Sequence, residues 1–447
     1  MDPIKTHPTP GLSYNPSDEK YWDEKGLHDE IERVFDICHG CRLCFNLCPS
    51  FPALFDAIDA NDGDVRALGA ADVERVVDLC YQCKLCYVKC PYTADDGHEF
   101  QLDFPRLLMR YTAQRTRRRG VRPRERMLGD PMRLGRLATR VARLANWANA
   151  TRFHRLVLEK MAGIHRDKLL PDFASQTFGR WWSRRGARPA TARQVDEVVL
   201  FHTCFVEYNN PDLGRDAVEV LERSGVRVLV PEQTCCGMPA LDGGDVDFAR
   251  EQARRNVAVL APYADRGCSI LAINPTCSYT LRKEYPELVG ADMEAAARKV
   301  ATATHDLMEY IHQLRRNGHL DTSFRSTPGA VAYHVPCHLK AQNIGFRSRD
   351  AMKAVPGATV RVVDGCCGHD GTWAMKTENF ALSMQVGKAT FEAMQEGGVM
   401  ATDCPLAAIQ FEQATGTRPM HPVQVLALSY RENGFPTPVP PREDEAT

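Results

Sequence analysis

The sequence lacks three features that define common classes of protein. No run approaches the roughly 18 to 20 consecutive apolar residues of a membrane-spanning helix, and residues 1–17 hold no apolar core of a secretion signal. No G-x-G-x-x-G motif follows a predicted strand, and there is no P-loop. With a net charge of −1, the chain as a whole does not select a charged partner. These absences argue against a membrane-spanning, secreted or dinucleotide-binding protein.

Cysteine, in contrast, is abundant, with 17 among 447 residues. Eight cysteines form two C-x2-C-x2-C-x3-C-P runs: Cys38, Cys41, Cys44, Cys48 and Cys80, Cys83, Cys86, Cys90. Such tight runs in a long chain favour metal-bound thiolates in a reducing cytoplasm over disulfides. In this pattern the cysteine before proline usually ligates the other cluster. We therefore expect two neighbouring [4Fe–4S] clusters, with Cys90 joining the first three cysteines and Cys48 joining the second three.

Structural zinc is the alternative for this region, although zinc sites use one or two C-x2-C pairs without a third cysteine in step. Between the motifs, Val73, Val76 and Val77 recur at helical spacing, which favours an α-helical ferredoxin fold. Apolar side chains of the second motif are expected to exclude water from its cluster: Tyr81, Leu85 and Val88.

A basic segment follows at residues 106–168. It holds 18 Lys and Arg against four acidic residues, a net charge of +14, so the rest of the chain carries −15. An apolar stripe recurs at helical spacing beside a row of arginines, with a tryptophan near its end: Leu134, Leu137, Val141, Leu144, Ala148; Arg133, Arg136, Arg140, Arg143; Trp147. Such a helix suits anionic lipid at a membrane, an acidic partner subunit, or packing on its own domain. Nucleic acid binding is not expected, because aromatic residues are few and the arginines do not belong to a known nucleic-acid-binding motif.

The C-terminal half repeats a strand–helix pattern in which cysteines follow the strands. Cys204, Cys235, Cys236 and Cys277 are followed at offsets of 133, 131, 131 and 127 by Cys337, Cys366, Cys367 and Cys404. Strands alternating with helices predict parallel βαβ units, whose ligand sites form beyond the carboxyl ends of the strands. Each block is expected to gather four thiolates for an iron–sulfur cluster, or for zinc in one of them. Gly237 and Gly368 supply the backbone freedom that aims each Cys–Cys pair inward, although buried apolar cysteines are the simpler alternative.

These patterns predict a multi-domain fold: an α-helical ferredoxin module, a helical connector and duplicated α/β parallel-sheet domains. The expected boundaries are an N-terminal extension (1–29), the ferredoxin-like domain (30–105), the basic helical connector (106–193), a first Cys-Cys-Gly domain (194–325), a second (326–432) and a C-terminal tail (433–447).

The Cys-Cys-Gly pairs carry a specific resemblance. Together with residues 144–149, 333–338 and 366–371, they resemble the C subunits of anaerobic glycerol-3-phosphate dehydrogenase and, more broadly, heterodisulfide-reductase-related iron–sulfur proteins. The resemblance covers about residues 30–430. It implies two cubane clusters in the ferredoxin module, cluster sites in the duplicated half, a partner flavoprotein dehydrogenase, and electron delivery towards quinone at the membrane.

The sequence departs from the heterodisulfide reductase pattern, in which each block ends in C-x2-C and five cysteines can hold a non-cubane cluster. Asn274 and Ala401 stand at the penultimate position here, so an ordinary four-thiolate cluster is expected. Cys268 is left over and is expected to be buried and inert.

Three histidines lie within two residues of candidate ligands: His202, His338 and His369. They are interpreted as hydrogen-bonding or packing groups in preference to proton donors or ligands. Trp373 and Lys340 are further candidates to line the ligand site beyond the carboxyl ends of the strands.

Three functions remain open from the sequence. The leading hypothesis is an electron-transfer subunit that takes electrons from a flavoprotein and passes them to quinone or another carrier, because the chain has no flavin or nicotinamide motif of its own. The alternatives are a catalytic reductase acting on a disulfide between the two Cys-Cys-Gly blocks, and a zinc-stabilised binding module. The expected location is the cytoplasm or the inner face of the cell membrane.

Overall fold

The structure, a computed structural model, describes residues 6–186 and 194–439. The first five residues of the expected N-terminal extension, the last seven of the connector and the last eight of the tail lie outside these ranges.

The two cysteine runs lie in a helical module, as the spacing between them predicts. Its helices are α1 (Glu24–Cys41), α2 (Ser50–Asp59), α3 (Ala70–Leu79), α4 (Leu85–Lys89) and α5 (Phe104–Arg119), with 3-10 turns at Glu19–Trp22 and Val65–Ala67. Asp23 and Asp103 begin α1 and α5 by accepting hydrogen bonds from backbone N–H groups of the first turn. Large apolar side chains fill the space between the helices: Phe35, Phe51, Phe55, Leu107 and Leu108.

The connector forms short helices and not the single long amphipathic helix that its periodicity predicts. They are α6 (Pro123–Gly129), α7 (Pro131–Arg140), α8 (Ala142–Ala150), α9 (Arg152–Ala162) and α10 (Phe178–Arg185). The predicted stripe is interrupted at Val141, whose backbone (φ −127°, ψ 37°) leaves the helical region. Gly135 lets α7 lie against Tyr208, because a Cβ atom at position 135 would overlap the tyrosine ring.

The apolar stripe of the connector faces solvent. Leu134, Leu137, Leu144 and Trp147 are 41%, 54%, 60% and 56% exposed, and the neighbouring arginines are exposed as well. The interpretation that this stripe packs on the protein's own domain is therefore wrong. Among the described residues, no helix combines the length and the apolar character needed to cross a membrane.

The first Cys-Cys-Gly domain is built on a parallel sheet of strand order β2-β1-β3-β4. The strands are β1 (Asp196–Phe201), β2 (Val226–Leu229), β3 (Ser269–Ala272) and β4 (Thr304–Asp306). The helices are α11 (Thr203–Tyr208), α12 (Pro211–Arg223), α13 (Met238–Asp242), α14 (Val246–Asp265), α15 (Pro275–Tyr279), α16 (Tyr285–Leu288), α17 (Glu294–Ala303) and α18 (Leu307–Arg316), with a π-helical turn at Thr280–Glu284. Alternate residues of β1 enter separate cores on the two faces of the sheet, so helices cover both faces.

The second domain repeats the first three strands in the order β7-β6-β8, which confirms the predicted duplication of parallel βαβ units. Its strands are β6 (Ala330–His334), β7 (Thr359–Val363) and β8 (Val399–Thr402). Its helices are α19 (Cys337–Lys340), α20 (Arg347–Met352), α21 (Phe380–Gln395), α22 (Pro405–Thr415) and α23 (Pro422–Ser429), with a 3-10 turn at Trp373–Met375. The expected tail contributes β9 (Thr437–Pro438), which pairs antiparallel with β5 (Ser326–Thr327).

Candidate metal centres

The eight N-terminal cysteines divide into two groups that cross between the motifs. Burial raises the pKa of the Cys38 thiol, and three neighbouring thiols raise it further: Cys90, Cys44 and Cys41. Burial likewise raises the pKa of Cys83, and among the neighbouring thiols Cys48 raises it most. We call Cys38, Cys41, Cys44 and Cys90 the first thiol set, and Cys48, Cys80, Cys83 and Cys86 the second. The grouping is the one that the crossed ligand assignment requires.

Left-handed backbone positions make this convergence possible. Arg42 (φ 51°) ends α1 between two cysteines of the first motif, and Gln82 (φ 57°) and Lys84 (φ 64°) flank Cys83 in the second. Few non-glycine residues adopt this conformation, so each marks a point where the chain turns sharply. The Lys84 ammonium group is buried and donates to the side-chain oxygen of Gln82 at 2.7 Å, which places a cation beside the second thiol set.

In the first Cys-Cys-Gly domain, the four predicted cysteines meet beyond the ends of β1, β2 and β3. Cys277 donates to the Cys236 sulfur at 3.5 Å, and Cys235 is hydrogen-bonded to both Cys204 and Cys236. Hydrogen bonds from Cys235 and Cys277 lower the pKa of Cys236, which favours its thiolate form. Gly237 (φ 90°) provides the left-handed turn after the pair. We call these four cysteines the fourth thiol set.

The cysteines of the second domain also converge and form the third thiol set: Cys337, Cys366, Cys367 and Cys404. Gly368 (φ 68°) follows the pair, and its N–H donates to the Cys366 sulfur at 3.3 Å. Burial raises the pKa of Cys404 to about 11. A backbone N–H donor at the sulfur is typical of cysteines that ligate iron–sulfur clusters.

The last cysteines of the two blocks, Cys277 and Cys404, are not equivalent, although the repeat in the sequence pairs them at an offset of 127. Asn274 and Cys404 each lie two positions beyond the end of their strand, and each caps a helix that begins with proline. Cys404 therefore corresponds to Asn274, and Ala407 corresponds to Cys277. The predicted match of Ala401 with Asn274 is wrong, because Ala401 lies inside β8. Each block keeps a different cysteine of the C-x2-C pattern.

The four thiol sets lie in a row. Cys86 of the second set has Cys44 of the first among its neighbouring charges, so these two sets adjoin. The Tyr81 hydroxyl lies 3.3 Å from the Cys366 sulfur, which brings the second set against the third. Cys404 is among the charges that raise the pKa of Cys277, so the third set adjoins the fourth.

His338, in the second Cys-Cys-Gly domain, contacts both the ferredoxin module and the first Cys-Cys-Gly domain. Its Nε2–H donates to the carbonyl of Gln82 at 3.1 Å, and Nδ1 accepts from the Thr276 hydroxyl at 2.9 Å. Burial lowers the pKa of His338 to about 4, so the ring is neutral. His202 instead contacts Glu207 Oε2 at 3.1 Å, and burial lowers the pKa of His369. His338 and His202 are hydrogen-bonded, in line with the interpretation, whereas both ring nitrogens of the buried His369 have no hydrogen-bond partner among the described residues.

The remaining candidates are Trp373, Lys340 and Cys268. Trp373 packs on Tyr81 with ring centroids 5.0 Å apart, and its indole N–H donates to the Asp78 carbonyl at 2.9 Å. Lys340 pairs with Asp364 at 2.8 Å. Cys268 is buried at the start of β3, with its sulfur 3.8 Å from Glu197 Oε1 and apart from the four sets.

The donor chemistry of the four sets fits iron–sulfur clusters. Soft thiolates in groups of four are the ligands that cubane clusters use. Among residues 6–186 and 194–439, no three His, Cys, Asp or Glu side chains are arranged around a single metal ion. Sequence reasoning missed two carboxylates between the sets, Asp242 and Asp370, for which no motif provides a signal.

Known families match the same regions of the chain. A family described as "Cysteine-rich domain" matches residues 198–282 and 331–412, and "Citrate utilization protein B Fer4-like domain" matches residues 31–119. A Fer4-like domain and two cysteine-rich domains are consistent with iron–sulfur clusters.

Curated relatives give the family. The C subunit of anaerobic glycerol-3-phosphate dehydrogenase from Escherichia coli (strain K12) is 32% identical over 299 residues, which are 66% of this chain and 74% of the relative. Lactate utilization protein A of Bacillus thuringiensis (strain Al Hakam) is 31% identical over 220 residues, 46% of this chain and 87% of the relative. The extent and identity of the first match confirm the resemblance seen in the sequence: the chain belongs to the family of the C subunits of anaerobic glycerol-3-phosphate dehydrogenase.

Proposed function

We propose that this protein is an iron–sulfur subunit that passes electrons from a partner flavoprotein dehydrogenase towards quinone. The observation that carries this proposal is the row of four adjoining thiol sets, with the crossed ligands Cys90 and Cys48 in the first two. Clusters held by these sets would accept and release single electrons. Relatives named as a dehydrogenase subunit and as a lactate utilization protein support a role beside an oxidising enzyme.

The first thiol set marks the end at which electrons would enter. Cys41 is exposed, and the apolar side chains around this set are exposed too: Leu43 46%, Phe45 47% and Val88 47%. The expectation that Val88 excludes water from the second cluster is wrong, whereas Tyr81 is buried as expected. An exposed apolar patch beside an accessible cluster site suits docking of the dehydrogenase partner.

The purified chain separates this proposal from its alternatives. We expect about sixteen irons per chain, reduction by dithionite, and no oxidation of glycerol 3-phosphate or lactate with a dye acceptor. About eight irons with zinc would support the binding module instead. Turnover of either substrate by the chain alone would contradict the proposal. The two Cys-Cys-Gly blocks do not offer a disulfide two matching sites, because Cys277 and Cys404 are not equivalent, so this feature does not favour the disulfide reductase.

The connector supports a peripheral position on anionic lipid. Apolar side chains of α7, α8 and α9 are exposed together: Leu134, Leu137, Val141, Leu144, Trp147, Phe153, Val157 and Met161. Acidic residues of the segment already pair with other arginines, Glu125 with Arg124 and Glu159 with Arg166. The positive charge of the exposed stripe is thus available to lipid phosphates.

Loss of two connector arginines should weaken binding to vesicles of anionic phospholipid. Each arginine near such a surface contributes about 1 kcal/mol, so Arg140→Gln with Arg143→Gln is expected to lower vesicle binding about thirtyfold in co-sedimentation. Arg298→Gln, at an exposed arginine outside the connector, is the matched control and should bind normally. Equal binding to neutral and anionic vesicles, or equal loss in the control, would show that these two arginines do not bind lipid phosphates. Failure of the wild-type protein to bind either kind of vesicle would point to a protein partner for this stripe.

A further inference from the structure

An apolar cavity lies beside the fourth thiol set. It has a volume of about 290 Å³ and is bounded by both Cys-Cys-Gly domains and by the connector. The four cysteines of the fourth set form one wall, where a cluster would sit. The connector contributes apolar side chains to the lining: Leu128, Leu134, Leu158, Ile164, Leu170 and Phe173. Leu134 also belongs to the exposed stripe, so the cavity lies directly behind the surface proposed to meet lipid.

Two carboxyl groups, those of Asp242 and Asp370, are the acidic groups of this cavity wall, which also holds asparagine and threonine side chains. Asp242 Oδ1 and Asp370 Oδ2 are shielded from solvent and have no hydrogen-bond partner among the described residues. An unpaired buried carboxyl oxygen costs free energy, which a ligand can recover by hydrogen bonding to it. Burial raises the pKa of Asp242 to about 7, and burial together with the charge of Asp242 raises the pKa of Asp370.

The same two aspartates line a second cavity of different character. This cavity of about 210 Å³ lies against the second thiol set and is lined by charged side chains, among them Glu74, Arg115, Arg119 and Lys376. Asp242, Asp370 and Thr372 line both cavities. They therefore form a wall with an apolar space on one side and a polar, hydratable space on the other.

We propose that the apolar cavity binds the ring of a quinone, and that Asp242 and Asp370 pass protons to it from the polar cavity. This inference rests on the proposed function, which supplies the electrons. Reduction of a quinone takes two electrons from the clusters and two protons from water, and it turns both carbonyl groups into hydroxyl groups. A carboxyl that can be protonated near neutral pH suits a proton relay. An uncharged ring fits an apolar lining, and its hydrophobic tail would leave past Leu134 towards the lipid.

Charged groups from other elements face the two aspartates. Lys84 of the ferredoxin module favours the ionised form of both aspartates. Lys376 also favours the ionised form of Asp242, whereas the charges of Glu284 and Cys236 disfavour it. The relay would thus respond to the ferredoxin module as well as to pH.

Ligand binding tests the cavity without relying on turnover. We would titrate the full-length, cluster-loaded protein with a fluorescent hydroxyquinoline N-oxide that mimics a quinone, and follow quenching. Leu158→Trp fills the cavity and should weaken binding about tenfold or more. Met161→Trp is the matched control, because Met161 lies on the same helix α9, is 84% exposed and is absent from the cavity wall. Unchanged binding in Leu158→Trp, with normal iron content, would overturn the site.

Proton delivery is tested separately. The protein is reduced with dithionite, desalted without oxygen and mixed with a short-chain quinone, and reoxidation of the clusters is followed by stopped-flow absorbance. Asp242→Asn and Asp370→Asn should bind the fluorescent probe within about threefold of the wild type yet reoxidise about a hundredfold more slowly. Asp247→Asn, at a 92% exposed side chain, is the control. Normal rates in both variants would refute the relay, whereas a wild-type protein that reduces no quinone would refute the proposed function itself.

Discussion

Cys48→Ala is expected to remove the only cluster left in the ferredoxin module of a variant that already lacks Cys38, Cys41 and Cys44. In the same background, Cys90→Ala is expected to leave that cluster in place. The reason is the crossed grouping of thiols, in which Cys48 adjoins Cys80 and Cys83 although it follows the first motif in the sequence. Iron and sulfide content should fall by about four atoms each in the Cys48 variant alone.

An uncrossed arrangement predicts the reverse result, with loss in the Cys90 variant and retention in the Cys48 variant. Electron paramagnetic resonance after dithionite reduction would follow the same cluster independently of iron analysis. Cys268→Ala is the control, because this buried cysteine lies beside Glu197 and apart from the thiol sets. Iron loss in the control would mean that a cysteine substitution of any kind perturbs the metal content.

The cysteine motifs could be read from the sequence because local spacing dictates which thiols can meet. A cluster needs three cysteines on one turn of chain, and that requirement leaves a fixed pattern. The parallel strands were also predictable, since apolar runs alternate with helical stretches and repeat at a steady offset. In both cases the residues that determine the structure lie close together in the sequence. The pattern can therefore be recognised without knowledge of the tertiary packing.

Features set by tertiary contacts could not be predicted. Tyr81 and Cys366 touch although 285 positions separate them, and no local pattern marks such a pair. Periodicity showed that the connector has an apolar face, but not that this face is exposed or that the helix ends at Val141. The register of Cys404 with Asn274 depends on where β3 and β8 end, which cysteine counting cannot locate.

Gly368→Ala is expected to destabilise the second Cys-Cys-Gly domain and to empty its thiol set. Gly368 has a φ of +68°, and a Cβ atom there would overlap the carbonyl oxygen of Ser383 on α21. The left-handed conformation alone costs a non-glycine residue roughly 1–2 kcal/mol. Displacing α21 from the Cys–Cys turn adds to this cost, for a total of about 4 kcal/mol. We expect a marked fall in the thermal midpoint and the loss of about four irons.

Two other glycines separate the clash from the backbone cost. Gly416 ends α22 with a φ of +75°, and no atom of the described residues lies within 4 Å of the Cβ that alanine would add. Gly416→Ala therefore measures the conformational cost alone. Gly237, the equivalent of Gly368 in the first domain, has the Ala249 carbonyl oxygen at 3.1 Å and should lie between the two. The expected order of damage to both thermal midpoint and iron content is Gly368, then Gly237, then Gly416. Equal damage at Gly368 and Gly416 would show that close contact with α21 does not hold the third thiol set in place, because only the left-handed backbone is common to both.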